Sequence, residues 1–330
     1  YGRGTKSGPI GAFSKAMEMR FGEKGKNWGK IIGIIPVVGS LGIAIGYSVV
    51  VGWFLKYLFS AVTGSLLHAE DMGTYFGGLA VNFGSIGWHM LGLVITFIIM
   101  LLGVTRGIEK MNKIMMPIFF IFFIILLFRV ITLPGAVEGY KYMFLPEWSN
   151  LKDIKTWVYA LGQAFFSLSL AGSGTLVYGS YLKKDTDVIE CAKNVAFFDT
   201  CAAILAGMVV IPAVFAFNLD VASGPPMMFI TLPAVFQMMP MGSLFAVLFF
   251  IAVIFAAITS LMNLFETPIE ALQEQIRLPR WAAVCVIAVI AAAVGVFIES
   301  GDSVGAWMDA DSIYIIPLRA LLAGIMFFWV

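Results

Sequence analysis

Ser167-Leu168-Ser169-Leu170-Ala171-Gly172-Ser173-Gly174-Thr175 interrupts an apolar run that extends from Trp157 to Tyr181. The run is long enough to cross a bilayer, which takes roughly 20 residues as helix. Its centre carries small and hydroxyl-bearing residues and two glycines, and a glycine weakens a helix by about 1 kcal/mol relative to alanine. Two readings stay open. Small residues let neighbouring helices approach closely. The other reading is a helix broken at mid-membrane depth, whose freed backbone must be satisfied by protein, water or a ligand, because lipid offers no partner. The hydroxyls of Ser167, Ser169, Ser173 and Thr175 favour the second.

The rest of the chain makes lipid its solvent. Hydrophobic residues are 60% of the total, charged residues 12%, and mean hydropathy is +0.93. A soluble domain averages about 45–50% apolar and about 25% charged, so too little charge is present to cover a water-facing shell. Eight apolar segments have spanning length: Trp28–Phe59, Ile86–Val104, Ile114–Leu133, Trp157–Tyr181, Val195–Phe217, Met241–Leu272, Trp281–Ile298 and Ile313–Val330. Most of the 21 Lys and Arg residues fall in alternate loops, around Arg3–Lys30, Arg106–Lys113, Lys183–Lys193 and Arg277–Arg280. The positive-inside rule places those loops in the cytoplasm. The opposite loops hold Glu70, Asp71, Glu138, Glu147, Glu299 and Asp302. Among these outer loops, Leu145–Lys155 and the amphipathic stretch Phe229–Phe236 read either as ordered elements, the latter a short helical lid, or as ordinary connections.

Several function classes lose support. A net charge of +1 gives no bulk attraction to nucleic acid. Cys191, Cys201 and Cys285 fit no metal or redox spacing, and His68 and His89 belong to no catalytic motif. Tyr1 opens the chain and Val330 ends it inside an apolar run, so both ends read as cut.

Other polar residues stand at membrane depth. Asp199 lies in the fifth span, where an ionisable group is costly unless paired, bound to an ion or at the interface. In the sixth span Thr259 and Ser260 follow Ala256 at offsets of three and four, which puts both hydroxyls on the face of the Ala256 carbonyl. Such oxygens suit a small hard cation, although Ser and Thr also bond their own helix. Asn263, Glu266, Glu270 and Glu274 continue that helix toward the cytoplasm. Tyr47 follows Gly39, Gly42 and Gly46, a pattern that core packing also explains. Arg319 in the last span is either paired within the bundle or beside an aqueous cavity.

Together these residues resemble the neurotransmitter:sodium symporter family, in its prokaryotic amino-acid branch. The strings that carry the resemblance are Gly162-Gln163-Ala164-Phe165-Phe166-Ser167-Leu168-Ser169, Tyr178-Gly179-Ser180-Tyr181, Phe229-Ile230-Thr231-Leu232-Pro233-Ala234-Val235-Phe236 and Ala256-Ala257-Ile258-Thr259-Ser260. The resemblance implies an all-α, polytopic fold of two inverted five-helix repeats, with this chain as helices three to ten. Residues 1–330 then form a single transmembrane domain, 28–133 ending the first repeat and 157–330 forming the second. It implies a substrate site of Ile43, Tyr47, Phe166, Ser169, Gly172 and Leu261. It implies a first sodium site at Ser167 and Asp199, and a second at the Ala256 carbonyl, Thr259 and Ser260. The cytoplasmic gate falls on Tyr181 and Glu274, and the outer acidic gate on Asp309 or Asp311.

The expected function is sodium-coupled symport of a neutral amino acid by alternating access, in a prokaryotic inner membrane. The Ile43, Phe166 and Leu261 wall, with room at Gly172, predicts a sizeable apolar or aromatic side chain. Asp199 stands where many relatives have asparagine, and Ala203 stands where a chloride-binding serine is expected, so no chloride requirement is expected. Rival readings are a proton-coupled carrier using Asp199 or Glu266, a membrane-embedded enzyme, or a channel. The partners are an amino acid and the lipid bilayer, not nucleic acid; the oligomeric state is open.

Overall fold

A computed structural model describes residues 2–169, 174–218, 226–311 and 315–328. Among the described residues every regular element is helical. After a single helical turn at Gly2–Thr5 comes α1 (Pro9–Val62), two helices joined at Gly22, whose φ of 69° and ψ of −160° are accessible in practice only to glycine. The chain reverses there. Gly25, Gly29 and Gly33, spaced four apart on one helix face, press against the backbone of Met17, Phe13 and Ile10; a Cβ on any of them would lie within 2.5 Å of it. The reading that began the first span at Trp28 missed this returning helix, because its Lys, Arg and Glu residues break the apolar run.

The long arm of α1 is the axis of the molecule. It packs along α10 (Gly242–Gln275) and crosses α3 (Ile86–Leu101), where Gly52 meets the His89 backbone. Its glycine face receives α12 (Gly301–Ala310) and α13 (Ile316–Phe328): a Cβ on Gly39 would meet Ile315 and Arg319, and one on Gly46 would meet Met308 and Trp307. The indole of Trp307 donates to the Gly42 carbonyl at 2.7 Å. The glycines before Tyr47 are thus packing positions, and they set how near α13 comes to the core.

A turn of wider helix, Val104–Glu109, leads into α4 (Lys110–Ile131). Short helices α2 (Met72–Leu79) and α5 (Ala136–Phe144) lie in loops that the charge pattern assigns to the outer side. The latter clamps α8 (Val188–Ala216): Gly139 abuts Pro212, and the Tyr140 hydroxyl donates to the Met208 carbonyl at 3.1 Å. The expected lid is helical, a turn at Met227–Thr231 followed by α9 (Leu232–Met238). It is anchored: Phe229 is buried, its carbonyl accepts from Tyr57 at 2.7 Å, and its ring stacks on Phe76 at 5.1 Å. Stacked aromatic pairs contribute about 0.5–1.5 kcal/mol beyond their buried area.

The expected fourth span is not one helix. It divides into α6 (Ile154–Ser167) and α7 (Gly174–Tyr181). Between them Leu168 ends the first helix and Ser169 takes a left-handed φ of 54°, unusual for a residue with a Cβ. Of the eight expected spans, Pro9–Val62, Val104–Ile131, Val188–Ala216, Gly242–Gln275 and Arg280–Phe297 (α11) are long and apolar enough to cross a membrane. Ile86–Leu101 and Ile316–Met326 are apolar but shorter.

Candidate functional site

The end of α6 opens onto a cavity of about 270 Å³. Ser167, the last residue of α6, donates from Oγ to Asp199 Oδ1 on α8 at 2.6 Å. Both line the cavity, with Phe166, Ser169, Ile43 and Ser260 around them. The strained turn at Ser169 directs its side chain toward α10, where Asn263 Nδ2 donates to Ser169 Oγ at 3.3 Å. Three segments far apart in sequence therefore converge here: the α6 break, mid-α8 and mid-α10.

A second, larger cavity of about 820 Å³ has aromatic walls that include Trp53, Phe54 and Phe76. Tyr47 and Ala256 line it, and Asp309 stands at its margin. Ser260 lines both cavities, with the Tyr47 hydroxyl beside it. The Tyr47–Ser260 contact is thus part of the partition between the two spaces.

Some expected residues stand elsewhere. Leu261 is wholly buried in the main core and lines neither cavity; Leu264, one turn further along α10, faces the smaller one. The offset of three residues keeps both on neighbouring positions of the helix, whereas Leu261 was expected at the site from the family resemblance alone. Thr259 Oγ1 donates to the Ala256 carbonyl at 2.8 Å and lies 3.7 Å from Met116 Sδ, and it lines neither cavity. Gly172 lies outside the described residues. Of the two outer acidic candidates, Asp309 is exposed at the large cavity, whereas Asp311 is buried against Arg319.

At the other end of α10, Tyr181 and Glu274 do not pair. The Tyr181 hydroxyl donates to Glu266 Oε1 at 2.8 Å. Arg280 grips the same carboxylate with two bonds of 2.8 and 2.9 Å, and its Nε donates to the Met100 carbonyl at 3.1 Å. Glu274 instead lies one turn from Glu270, whose Oε1 accepts from the Gly8 amide at 2.9 Å. Sequence reading named Glu266 as one candidate proton carrier but could not see its partner, since a guanidinium at a helix start looks interfacial.

His89 has partners that its sequence context hides. Its Nε2 lies 2.9 Å from Ser48 Oγ and its Nδ1 lies 3.2 Å from Glu299 Oε1, more than 200 positions away. All three residues are buried and none lines either cavity. This buried Ser-His-Glu arrangement ties α1 and α3 to the end of α11. Among the described residues no group of three or more His, Cys, Asp or Glu is placed to hold a metal ion.

Comparison with known proteins is consistent with this geometry. The model of the sodium:neurotransmitter symporter family matches residues 76–328. An uncharacterized sodium-dependent transporter of Haemophilus influenzae is 33% identical over 86% of this chain and 63% of its own length. One of Bacillus subtilis is 34% identical over 81% of this chain and 58% of its own. The chain thus spans less than two thirds of either relative. The crystal structure of MhsT in complex with L-phenylalanine matches with a TM-score of 0.86 and 34% identity, over 99% of this chain and 76% of that one. With the family model covering most of its length and the same helical fold throughout, this chain belongs to the sodium:neurotransmitter symporter family.

Proposed function

We propose that the protein carries out sodium-coupled symport of a neutral amino acid by alternating access, as a multi-pass protein of a prokaryotic inner membrane. The observation that carries this reading is the convergence of Ser167, Asp199, Ser169 and Ser260 on one cavity at the end of α6. Hydroxyl, carboxylate and backbone oxygens beside a helix break are the donor set a small hard cation takes in such transporters. The amino-acid reading draws support from the relative solved with L-phenylalanine.

In this reading Ser167 and Asp199 hold a first sodium ion. The Ala256 carbonyl, Thr259 and Ser260 hold a second, which requires the Thr259 hydroxyl to turn its lone pairs toward the ion while its proton stays on Ala256. Ile43, Phe166, Ser169 and Leu264, with Tyr47 across the partition, surround the amino acid. Coupling is thermodynamic: sodium favours the substrate-competent state, and substrate favours closure. The Tyr181–Glu266–Arg280 cluster closes the cytoplasmic side, and Asp309 takes part in outer closure.

Chloride is not required. Sodium ions and a zwitterion accumulate positive charge in a low-dielectric site. Asp199 offsets it with a fixed negative charge, and Ala203, one turn on, offers no hydroxyl to an anion. Uptake in sodium gluconate should equal uptake in sodium chloride. A wild type that needs chloride would refute the charge argument.

Glu266 is a poor proton carrier in a proton-coupled scheme, because Tyr181 and both arms of Arg280 already occupy it. Asp199, which accepts a hydrogen bond from Ser167, is the residue on which such a scheme would rest.

A further inference from the structure

Two arginines are drawn into this membrane bundle, and they are bonded differently. Arg280 uses all three nitrogens, on Glu266 and the Met100 carbonyl. Arg319 is 2% exposed, yet it makes a single contact of 3.3 Å, from Nη2 to Asp311 Oδ2. Its Nε and Nη1 have no hydrogen-bond partner among the described residues. A buried guanidinium with idle donors is costly to keep. The first is a structural ion pair; the second is half engaged.

Arg319 lines the 270 Å³ cavity. Gly39 makes room for it: a Cβ there would lie 2.8 Å from Nη1. Asn263 of α10 lines the same cavity, and with its Nδ2 turned to Ser169 its Oδ1 is buried and has no partner among the described residues. Here too a glycine keeps the space, since a Cβ on Gly174 would lie 2.8 Å from that oxygen. Two residues that line the cavity thus hold buried polar atoms with no partner among the described residues: Nε and Nη1 of Arg319, and Oδ1 of Asn263.

We propose that Arg319 and Asn263 are specificity residues that read a primary carboxamide on the side chain of the transported amino acid, as in glutamine or asparagine. This rests on the symport reading above and names its substrate class. A carboxamide brings one acceptor oxygen for the guanidinium and N–H donors for the Asn263 oxygen. A carboxylate would satisfy Arg319 but oppose its lone pairs to Asn263 Oδ1, and would add charge to a site where Asp311 already faces the guanidinium. An apolar side chain would leave every one of these groups unpaired. The volume suits one small solute, below the roughly 300–1,000 Å³ of drug-sized pockets.

The test is sodium-driven uptake of labelled glutamine, glutamate, methionine and phenylalanine by the full-length protein in proteoliposomes. Wild type should prefer glutamine over near-isosteric methionine and over glutamate by about tenfold or more, since sites built to hydrogen-bond a group discriminate strongly against analogues lacking it. Arg319→Met should bring the glutamine-to-methionine ratio near one while methionine still enters; Arg319→Lys, which keeps the charge without the fork, should fall between. A wild type that prefers methionine, phenylalanine or glutamate would overturn the proposal whether or not any variant folds. An Arg319→Met protein that keeps the glutamine preference would do so equally. Sodium-driven entry of apolar amino acids alone would leave the symport reading standing; sodium-independent entry of all four would overturn both.

Discussion

Ser167 and Asp199 are 32 residues apart in the chain and joined by one 2.6 Å hydrogen bond. Each was conspicuous in the sequence for being polar where lipid-facing helix was expected, and that anomaly is legible without a structure. Hydrogen bonds to charged groups are worth about 1.5–3 kcal/mol. Ser167→Ala is therefore expected to raise the sodium concentration for half-maximal uptake about tenfold or more, read from sodium titrations of transport. Thr259→Val removes a neutral oxygen, worth about 1 kcal/mol, and should raise it about fivefold; unchanged sodium dependence would remove Thr259 from the ion site. Asp199→Asn should depress uptake in chloride-free medium, and normal uptake there would refute the charge role. What the sequence did not resolve at this scale is register. Leu261 and Leu264 are equally apolar, and only the rotation of α10 against its neighbours puts one in the core and the other on the cavity.

Helix breaks were only half legible. The Ser167–Thr175 run left close helix packing and a helix break both open, with its hydroxyls favouring the break, and the structure has the division into α6 and α7. The reversal at Gly22 was not announced, since a glycine among charged residues reads as an ordinary loop. Its backbone conformation is nearly closed to other residues and costs about 1–3 kcal/mol when forced. Gly22→Ala should lower thermal stability in detergent accordingly, whereas Gly4→Ala, where a Cβ would meet nothing within 4 Å, should not. Helices α2, α5 and α12 were missed for another reason: they are too short to show a spanning apolar run. The Arg280 clamp offers a sharper test. Removing one partner of a buried ion pair costs about 3–5 kcal/mol, and Glu266 is fully buried. Arg280→Ala should destabilise the protein by most of that, measured by thermal unfolding, while Arg280→Ala with Glu266→Gln should recover part of it. A single variant as stable as wild type would show that the clamp does not bear on closure.

Over the whole molecule, composition points to lipid as the solvent, and the alternation of basic and acidic loops gives an expected orientation of the spans. Neither names a cargo. Family membership comes from the ordered strings along the chain and from a fold shared over 99% of its length with a solved transporter. The site needed the three-dimensional arrangement, because α6, α8 and α10 supply its polar groups from positions scattered across about a hundred residues. The central claim is that a sodium gradient drives an amino acid uphill through this site. It is tested most directly by uptake of labelled amino acids into proteoliposomes holding the full-length protein. Sodium is placed outside only, on both sides, or replaced by potassium, with and without an inward proton gradient. The account predicts accumulation above the external concentration with the inward sodium gradient alone, and mere equilibration when sodium is equal on both sides. Accumulation that ignores sodium and follows the proton gradient would contradict it.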